Sequence, residues 1–236
     1  MNLLIFRGNE FLGCNRYSVK RRDVIDHILK VLKKGIGDEV NAGILNGEIG
    51  KAVIKKIDIS EIIFEFKAEK KAPKKLPITL ICAIPRPKFL KRIVRDAVTI
   101  GIEKIIFLRT WKVEKTFFDS KVFNMEKLEM YAILGLEQAK DTVMPEIEIR
   151  EKFKQFIEDE LPIISENSVN LIAHPKGNFE VPLKINNSAV IVIGPEGGFT
   201  DYEIDCFEQK GFNCVQMGER ILRVETAIPF LVGKLV

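Results

Sequence analysis

The sequence predicts an α/β fold: a C-terminal α/β domain with a largely parallel sheet, preceded by a small β-barrel. After Pro77, apolar runs of strand length alternate with helical patterns, as in successive βαβ units. The continuous apolar run Ile78–Ile84 is typical of a strand buried on both faces of a parallel sheet. Before Pro77, several short strand patterns and a single helix pattern fill about seventy residues, which favours a small barrel.

The N-terminal part contains short strands separated by turn residues. Apolar residues at helical spacing predict a helix over Val24–Lys34, and Gly35 ends it. Asn46 and Gly47 tolerate positive φ and therefore predict a hairpin turn. The predicted strands are Leu3–Phe6, Tyr17–Val19, Val40–Leu45, Ile49–Ile57 and Ile62–Phe66.

A basic stretch, Lys67–Lys75, lies between the two parts and is followed by Pro77. Its polar composition and its prolines predict a linker. Its charges fit equally well a solvated surface and a segment that faces RNA.

The C-terminal part begins its helices with recognisable signals. Pro87 suits the first turn of a helix over Phe89–Ile100, which Gly101 closes. Thr200 and Glu203 form a predicted capping box for a helix over Asp201–Lys210. The other predicted elements are helices Glu126–Lys140 and Glu225–Lys234 and strands Lys104–Leu108, Ser168–Ala173, Ser188–Ile193 and Cys214–Met217.

The composition is that of a globular protein, and its charge is unevenly distributed. The 236 residues are 46% hydrophobic and 30% charged, with a net charge of +4. Residues 1–75 hold sixteen basic and ten acidic residues, a net charge of +6, which leaves −2 for the remainder. This asymmetry indicates a polyanionic partner that contacts the N-terminal part.

Several classes of protein are disfavoured by the same sequence. No apolar run reaches the roughly 18 residues that span a bilayer, so no membrane association is expected, and the N-terminus does not resemble a signal peptide. Four cysteines without Cys-x-x-Cys spacing indicate free thiols in a reducing cytoplasm. Only two histidines are present, so a histidine-rich metal centre is not expected.

The most distinctive motif is a glycine-rich turn, Gly194–Gly198, between a buried strand and a capped helix. Ligands of open α/β sheets bind beyond the carboxyl ends of strands, where such turns allow the backbone to approach closely. The turn has neither the lysine of a Walker A loop nor the spacing of a dinucleotide fingerprint. It therefore favours a ligand held by backbone groups, such as an adenosine moiety; a tight strand–helix corner without a ligand is the alternative.

A second motif, Met217–Ala227, contains two arginines, two glutamates and a threonine after another predicted strand. Charges cluster in this way when they pair with one another or serve a site. From the pattern alone, an internal ion-pair loop and a functional site are equally compatible.

The two motifs together resemble the RsmE family of bacterial 16S ribosomal RNA methyltransferases, within the SPOUT superfamily. IGPEGGFT with Glu203, and then GERILRVETA about twenty residues further, resemble the paired signature of that family. His27–Lys33 followed by Gly37-Asp38, Thr99–Ile102, and Glu137-Gln138 with Pro145 are also similar to family segments in the same order.

The resemblance implies a PUA-like RNA-binding barrel over residues 1–72 and a SPOUT methyltransferase domain with a trefoil knot over residues 76–236. It implies a cytoplasmic homodimer that uses S-adenosyl-L-methionine to methylate N3 of a uridine in 16S rRNA, within the small ribosomal subunit. The implied cofactor-binding residues are Ala173, His174, Gly194, Pro195, Glu196, Gly197, Gly198, Met217, Gly218, Arg220, Ile221, Leu222 and Ala227.

The implied reaction gives roles to three charged residues. N3 of uridine is a weakly acidic imide, so a carboxylate could accept its proton and an arginine could stabilise the anion that develops. Arg223, Glu225 and Glu196 are the candidate catalytic residues, in that order. Glu225 fits equally well a structural carboxylate at the start of a helix.

Basic residues on one predicted helix suggest an RNA-binding surface. The basic residues of this helix lie on one face, opposite the apolar residues. This face is expected either to bind phosphates of RNA or simply to be solvated. The basic residues are Arg86, Lys88, Lys91, Arg92 and Arg95, and Arg16, Arg21 and Arg22 of the barrel are expected to extend them. Trp111 is expected in packing, although Arg109 and Lys112 beside it would also suit base stacking.

Some positions depart from the family pattern. Asp141 and Val143 stand where the family carries arginines, and Val224 replaces a threonine beside the proposed site. Two alternatives therefore stay open: a SPOUT methyltransferase that acts on a different RNA or position, and a non-catalytic RNA-binding or ribosome-assembly factor with the same fold.

Overall fold

The computed structural model describes residues 2–118, 120 and 123–236. The chain forms two compact units. The first contains Met1–Lys74 and Ile133–Met144, and the second contains Lys75–Ala132 and Pro145–Val236. The first unit is therefore built from two separate stretches of sequence.

The first unit is organised around a six-stranded sheet of order β1-β4-β5-β6-β3-β2. β1 and β4 are parallel, and the other neighbours are antiparallel. An aromatic cluster fills its core, with the Phe6 and Tyr17 rings stacked at 4.3 Å and Phe64 and Phe66 around them. The strands are β1 (Leu4–Phe6), β2 (Phe11–Gly13), β3 (Arg16–Val19), β4 (Glu39–Ile44), β5 (Ile49–Ile57) and β6 (Ile62–Lys70).

The predicted hairpin at Asn46 is present between β4 and β5, and Asn46 has the expected positive φ of 59°. Thr142 fixes this turn from the second stretch of the unit. The Thr142 carbonyl accepts the Asn46 N–H at 2.7 Å, and its hydroxyl donates to the Gly47 carbonyl. These bonds explain why Ile133–Met144 belongs to the first unit, which sequence patterns did not indicate.

Two predictions in this unit need correction. The predicted helix over Val24–Lys34 is a short α1 (Arg22–Asp26) that widens into a π turn over His27–Val31. The predicted linker starts too early, because Lys67–Lys70 continue β6 and pair with the start of β5 across a bulge. β5 is nine residues long and provides backbone hydrogen-bond partners for Lys67–Lys70. The segment therefore forms a strand although its charged composition predicted a linker.

The second unit confirms the predicted parallel α/β architecture. Its seven strands are all parallel, in the order β11-β13-β10-β12-β7-β8-β9. They are β7 (Leu76–Ala83), β8 (Ile102–Leu108), β9 (Glu146–Arg150), β10 (Val169–Ala173), β11 (Phe179–Glu180), β12 (Ala189–Ile193) and β13 (Asn213–Gln216). The edge strands β9 and β11 were not predicted, because their half-exposed or exposed residues lack a continuous apolar run.

The remaining helices follow the strands of the second unit, except that α4 also enters the first. They are α2 (Pro87–Ile100), α3 (Lys115–Phe118), α4 (Met125–Ala139), α5 (Phe153–Gln155), α6 (Leu161–Ile164), α7 (Asp201–Gln209) and α8 (Val224–Leu235). A π turn, Phe156–Glu160, joins α5 to α6. The segment Phe153–Ile164 was not predicted to be helical.

Burial follows the patterns on which the prediction rested. Every residue of β12 is buried, as expected for a central strand of a parallel sheet. In α2 the apolar face, which includes Leu90, Ile93 and Val94, is buried, and Gly101 ends the helix with a left-handed φ of 94°. None of the helices described is both long and apolar enough to cross a membrane.

Candidate functional site

A cavity of about 480 Å³ lies beyond the carboxyl ends of β10, β12 and β13. The three strands are neighbours in the sheet and parallel, so the loops that follow them meet at one edge. The volume lies within the range of about 300–1,000 Å³ that is usual for small-molecule sites.

All thirteen residues that the resemblance assigns to the cofactor line this cavity, together with the candidate catalytic residues Glu196 and Arg223. They come from the turn after β10, the glycine-rich turn after β12, and the loop between β13 and α8. The residues that sequence reasoning missed are Lys112, Pro175, Lys176, Ile193, Phe199 and Val224. Four of the six are sequence neighbours of predicted residues, and Lys176 is two positions from His174. Lys112 belongs to a different segment, the one after β8, and the carboxyl end of that strand was the signal that could have found it.

The glycine-rich turn needs glycine for steric reasons. A Cβ atom at Gly194 would lie 3.0 Å from two ring carbons of Phe199, which is tighter than side chains ordinarily pack. Gly198 has a positive φ of 69°, which side-chain-bearing residues rarely adopt. The turn therefore exposes backbone to the cavity, as expected for a ligand held by backbone groups.

A buried carboxylate anchors this turn. Glu203 is fully buried, and its Oε2 accepts hydrogen bonds from the Thr200 N–H at 2.7 Å and the Thr200 hydroxyl at 2.9 Å. The capping box predicted for α7 is thus confirmed. Glu203 Oε1 also accepts the Trp111 N–H at 2.8 Å, which ties the segment after β8 to the start of α7.

Lys112 adds a second connection between the segment after β8 and the glycine-rich turn. Its ammonium group donates to the carbonyl oxygens of Gly197 at 3.2 Å and Phe199 at 3.0 Å. Together with the Trp111–Glu203 bond, these contacts tie the glycine-rich turn and the start of α7 to the segment after β8.

Two of the three candidate catalytic residues, Glu196 and Arg223, line the cavity. Arg223 is exposed at the cavity, and its carbonyl accepts the N–H groups of Thr226 and Ala227 at the start of α8. Glu196 is also exposed at the cavity and accepts the Arg86 N–H at 3.2 Å. Glu225 is buried in the first turn of α8 and is not among the residues that line the cavity. The structure therefore favours the alternative in which Glu225 is a structural carboxylate at the start of a helix.

His174 contributes a neutral imidazole to the cavity. Burial lowers its pKa, and the positive charge of Lys176 lowers it further. Its backbone N–H donates to the Val215 carbonyl, and its Nδ1 accepts the Lys176 N–H at 3.2 Å. The side chain therefore presents a polar but uncharged group at neutral pH.

We expect the His174 imidazole to titrate below its ordinary pKa of 6.5 and the Lys176→Gln variant to raise that pKa. The removed charge is one of the causes of the depression, so its loss favours the protonated ring. Proton NMR against pH measures both values, because the chain has two histidines and a His174→Asn variant assigns the signals. Lys210→Gln, which changes a lysine outside the cavity lining, should leave the midpoint unchanged; a wild-type midpoint at or above 6.5 would contradict the expectation.

The predicted basic stripe is exposed on α2. Arg86, Lys88, Lys91, Arg92 and Arg95 are all accessible to solvent on the face opposite the buried side chains. Asp96 lies at 3.5 Å from both Arg92 and Arg95, so part of the charge is neutralised locally.

The three arginines proposed for the first unit differ from one another. Arg16 is exposed, and Arg22 is exposed beside Asp26 at 3.6 Å. Arg21 is only 18% exposed; its guanidinium donates to Glu10 at 2.9 Å and to the Ile5 carbonyl at 2.7 Å. We therefore correct the prediction for Arg21, because its guanidinium holds the interior of the unit together instead of facing RNA.

No metal centre is indicated by the described part of the chain, where no three histidine, cysteine or acidic side chains cluster suitably. The four cysteines are free thiols, as expected. Cys82 is fully buried beneath the site, and burial raises the pKa of its thiol.

Comparison with known proteins identifies the family. The family model for the RNA methyltransferase domain matches residues 72–236. Ribosomal RNA small subunit methyltransferase E of Treponema pallidum is 34% identical, over 96% of this chain and 87% of the relative. The protein named ribosomal RNA small subunit methyltransferase E 1 of Borreliella burgdorferi is 32% identical, over 96% of this chain and 94% of the relative.

A solved structure has the same fold. The crystal structure of ribosomal RNA small subunit methyltransferase E from Neisseria gonorrhoeae bound to S-adenosyl methionine aligns with a TM-score of 0.73 and 19% identity, over 98% of this chain and 94% of that one. The resemblance predicted from the two C-terminal motifs is thus confirmed by the sequence comparisons. The chain belongs to the ribosomal RNA small subunit methyltransferase E family of RNA methyltransferases.

Proposed function

We propose that the protein methylates N3 of a uridine in 16S ribosomal RNA, within the small ribosomal subunit, with S-adenosyl-L-methionine as the methyl donor. The observation that carries the proposal is the cavity at the ends of β10, β12 and β13, where the two signature motifs meet. Family membership supports the reaction class, since the relatives are named ribosomal RNA small subunit methyltransferases.

The residues of the cavity fit S-adenosyl-L-methionine. Ile193, Met217, Ile221 and Leu222 provide apolar surface for an adenine ring, and the exposed backbone of the glycine-rich turn provides hydrogen-bonding groups. Lys176 and Arg220 of the lining can pair with the carboxylate of the methionine portion. We therefore assign the thirteen predicted residues to this cofactor.

The lining also carries an excess of positive charge, which suits an RNA substrate at the mouth of the cavity. Lys112, Lys176, Arg220 and Arg223 outnumber the single acidic residue, Glu196. Within the second unit, the exposed basic face of α2 extends the proposed contact with phosphates. In the first unit, the exposed Arg16 and Arg22 are proposed as further phosphate contacts.

Bound S-adenosyl-L-methionine would supply an electrophilic methyl group on a sulfonium, whose S–CH3 bond would break to leave the neutral thioether S-adenosyl-L-homocysteine. The uracil N3–H must lose its proton as the new N–C bond forms, and the negative charge that develops spreads over the flanking carbonyl oxygens. Arg223 lines the cavity and would donate hydrogen bonds to those oxygens, and Glu196, the carboxylate of the lining, would accept the proton. Glu225 is left with the structural role of stabilising the first turn of α8.

We also propose the domain organisation implied by the resemblance. Residues 1–72 would form a PUA-like RNA-binding barrel, extended by Ile133–Met144, and residues 76–236 a SPOUT domain with a trefoil knot that acts as a homodimer. The six-stranded sheet of the first unit and the adjacent parallel order β13-β10-β12 of the second support these assignments.

Labelled methyl transfer tests the proposed function. We expect the purified protein to transfer methyl from labelled S-adenosyl-L-methionine to small subunits isolated from a strain that lacks this gene, and mass mapping to place the label on N3 of one 16S uridine. Small subunits from the parent strain, already methylated, serve as the control.

Two outcomes would favour the alternatives. Label on another RNA or position would indicate a methyltransferase of different specificity. Failure of the folded protein to bind S-adenosyl-L-methionine in calorimetry would favour an RNA-binding or assembly factor.

A further inference from the structure

A second cavity, of about 540 Å³, opens in the second unit at the carboxyl ends of β8 and β9. The two strands are parallel neighbours, and the segments that follow them supply its walls. Its lining consists of Arg109, Thr110, Trp111, Val113, Glu151, Lys152, Phe153, Lys154 and Gln155. The proposed methyl transfer uses none of these residues.

Trp111 presents an open aromatic surface in this cavity. Its side chain is 57% exposed, although it is the largest apolar side chain of the protein. Two rings support the indole at steep angles, Phe153 with a centroid distance of 5.4 Å and Tyr202 with 5.5 Å. Its backbone N–H is fixed by the buried Glu203. The indole is therefore held in place by its neighbours while more than half of its surface stays available to a ligand.

The polar groups around Trp111 favour an anionic, hydrogen-bonding ligand. Three cationic residues, Arg109, Lys152 and Lys154, share the lining with a single carboxylate, Glu151. The Lys154 ammonium lies 5.8 Å from the centroid of the Tyr202 ring, which is one of the two rings that contact Trp111.

Thr110 gives a second, independent indication of a ligand. The residue is only 4% exposed, and its Oγ1 is buried without a hydrogen-bond partner among the described residues. Buried hydroxyl groups are nearly always hydrogen-bonded in native proteins. Because Thr110 lines the cavity, a ligand bound there could supply the missing partner.

We propose that this cavity binds an unpaired nucleotide of the RNA substrate, with its base stacked on Trp111 and its phosphate contacted by Lys152 and Lys154. Stacking on aromatic side chains combined with cationic contacts to phosphate is the usual way in which proteins hold single-stranded RNA. The next residue, Lys112, lines the proposed cofactor cavity, so the two cavities are neighbours within the second unit. The inference rests on the proposed function in taking RNA as the substrate.

Trp111 is the only tryptophan of the chain, so its fluorescence reports on this cavity alone. The probe is a single-stranded hexauridylate, titrated into the 236-residue chain without cofactor. We expect saturable quenching, because a stacked base quenches indole emission. In fluorescence anisotropy with labelled hexauridylate, Trp111→Ala should weaken binding roughly tenfold, and Trp111→Phe should retain most of the affinity.

Matched measurements separate this site from the proposed function. Lys210→Ala, a lysine outside both cavities, controls for the general loss of positive charge. Absence of quenching, or wild-type affinity of Trp111→Ala, would overturn the inference even if methyl transfer to the small subunit proceeds. Conversely, quenching together with weakened binding by Trp111→Ala would support the site even if no methyl transfer occurs.

One further measurement guards against another explanation for the exposed indole. Trp111→Ala should sediment in the same oligomeric state as the wild-type protein. A change of oligomeric state would mean that Trp111 is covered by a second copy of the chain, and the inference would be wrong.

Discussion

Replacing Arg223 by alanine is expected to lower the rate of methyl transfer by a factor on the order of 10²–10³, with little change in cofactor affinity. The guanidinium is exposed at the cavity, and the backbone of Arg223, not its side chain, contacts the start of α8. Removing a donor that stabilises charge developing in the transition state costs about this much in enzymes of other classes.

Single-turnover methyl transfer measures the loss, while calorimetry with S-adenosyl-L-methionine and circular dichroism check binding and fold. The defect should appear in kcat, because the proposed interaction strengthens as charge develops on the uracil. Arg223→Lys keeps the charge without the planar guanidinium and should fall in between. Lys210→Ala serves as the control, and full activity of Arg223→Ala would remove this residue from the mechanism.

Replacing Glu203 by alanine is expected to lower the stability of the protein by about 3 kcal/mol and to weaken cofactor binding. The substitution leaves the Trp111 N–H and two donors of Thr200 without their charged acceptor. Thr200 follows Phe199, the last lining residue after the glycine-rich turn, so freeing Thr200 loosens the cavity wall.

Thermal unfolding should show the loss as a fall in Tm of about 10 °C. Glu208→Ala removes an exposed glutamate from the same helix and should change Tm little. Glu203→Gln, which keeps one acceptor oxygen, should be intermediate. A Glu203→Ala protein as stable as the Glu208→Ala control would contradict the anchoring role of this carboxylate.

Glu203 also illustrates how far sequence reasoning reaches. Its capping box with Thr200 could be predicted, because both partners lie within one turn of sequence and the spacing is characteristic. Its bond to Trp111 could not, because that partner lies 92 residues away and only the parallel packing of the sheet brings it near. Local chemistry was thus predictable, whereas contacts between distant segments required the fold.

The same distinction explains the other successes and failures. The buried strand β12 follows from a short continuous apolar run, and the amphipathic helix α2 follows from hydrophobic periodicity together with Pro87 and Gly101. The positive charge of Arg21 suggested a contact with RNA, but its guanidinium donates hydrogen bonds to Glu10 and to the Ile5 carbonyl. The lining of the proposed cofactor cavity could largely be named from the sequence because it comes mostly from three continuous motifs. Lys112 was missed because it comes from a fourth segment.

The return of residues 133–144 to the first unit constrains how this protein can evolve. A gene rearrangement with one breakpoint near residue 75 would carry away the Asn46 hairpin without Thr142, whose carbonyl and hydroxyl bond to that turn. Acquiring or exchanging the first unit as a working module would need matched breakpoints on both sides of the inserted stretch. Inheritance of the two units together is therefore the simpler path for this chain.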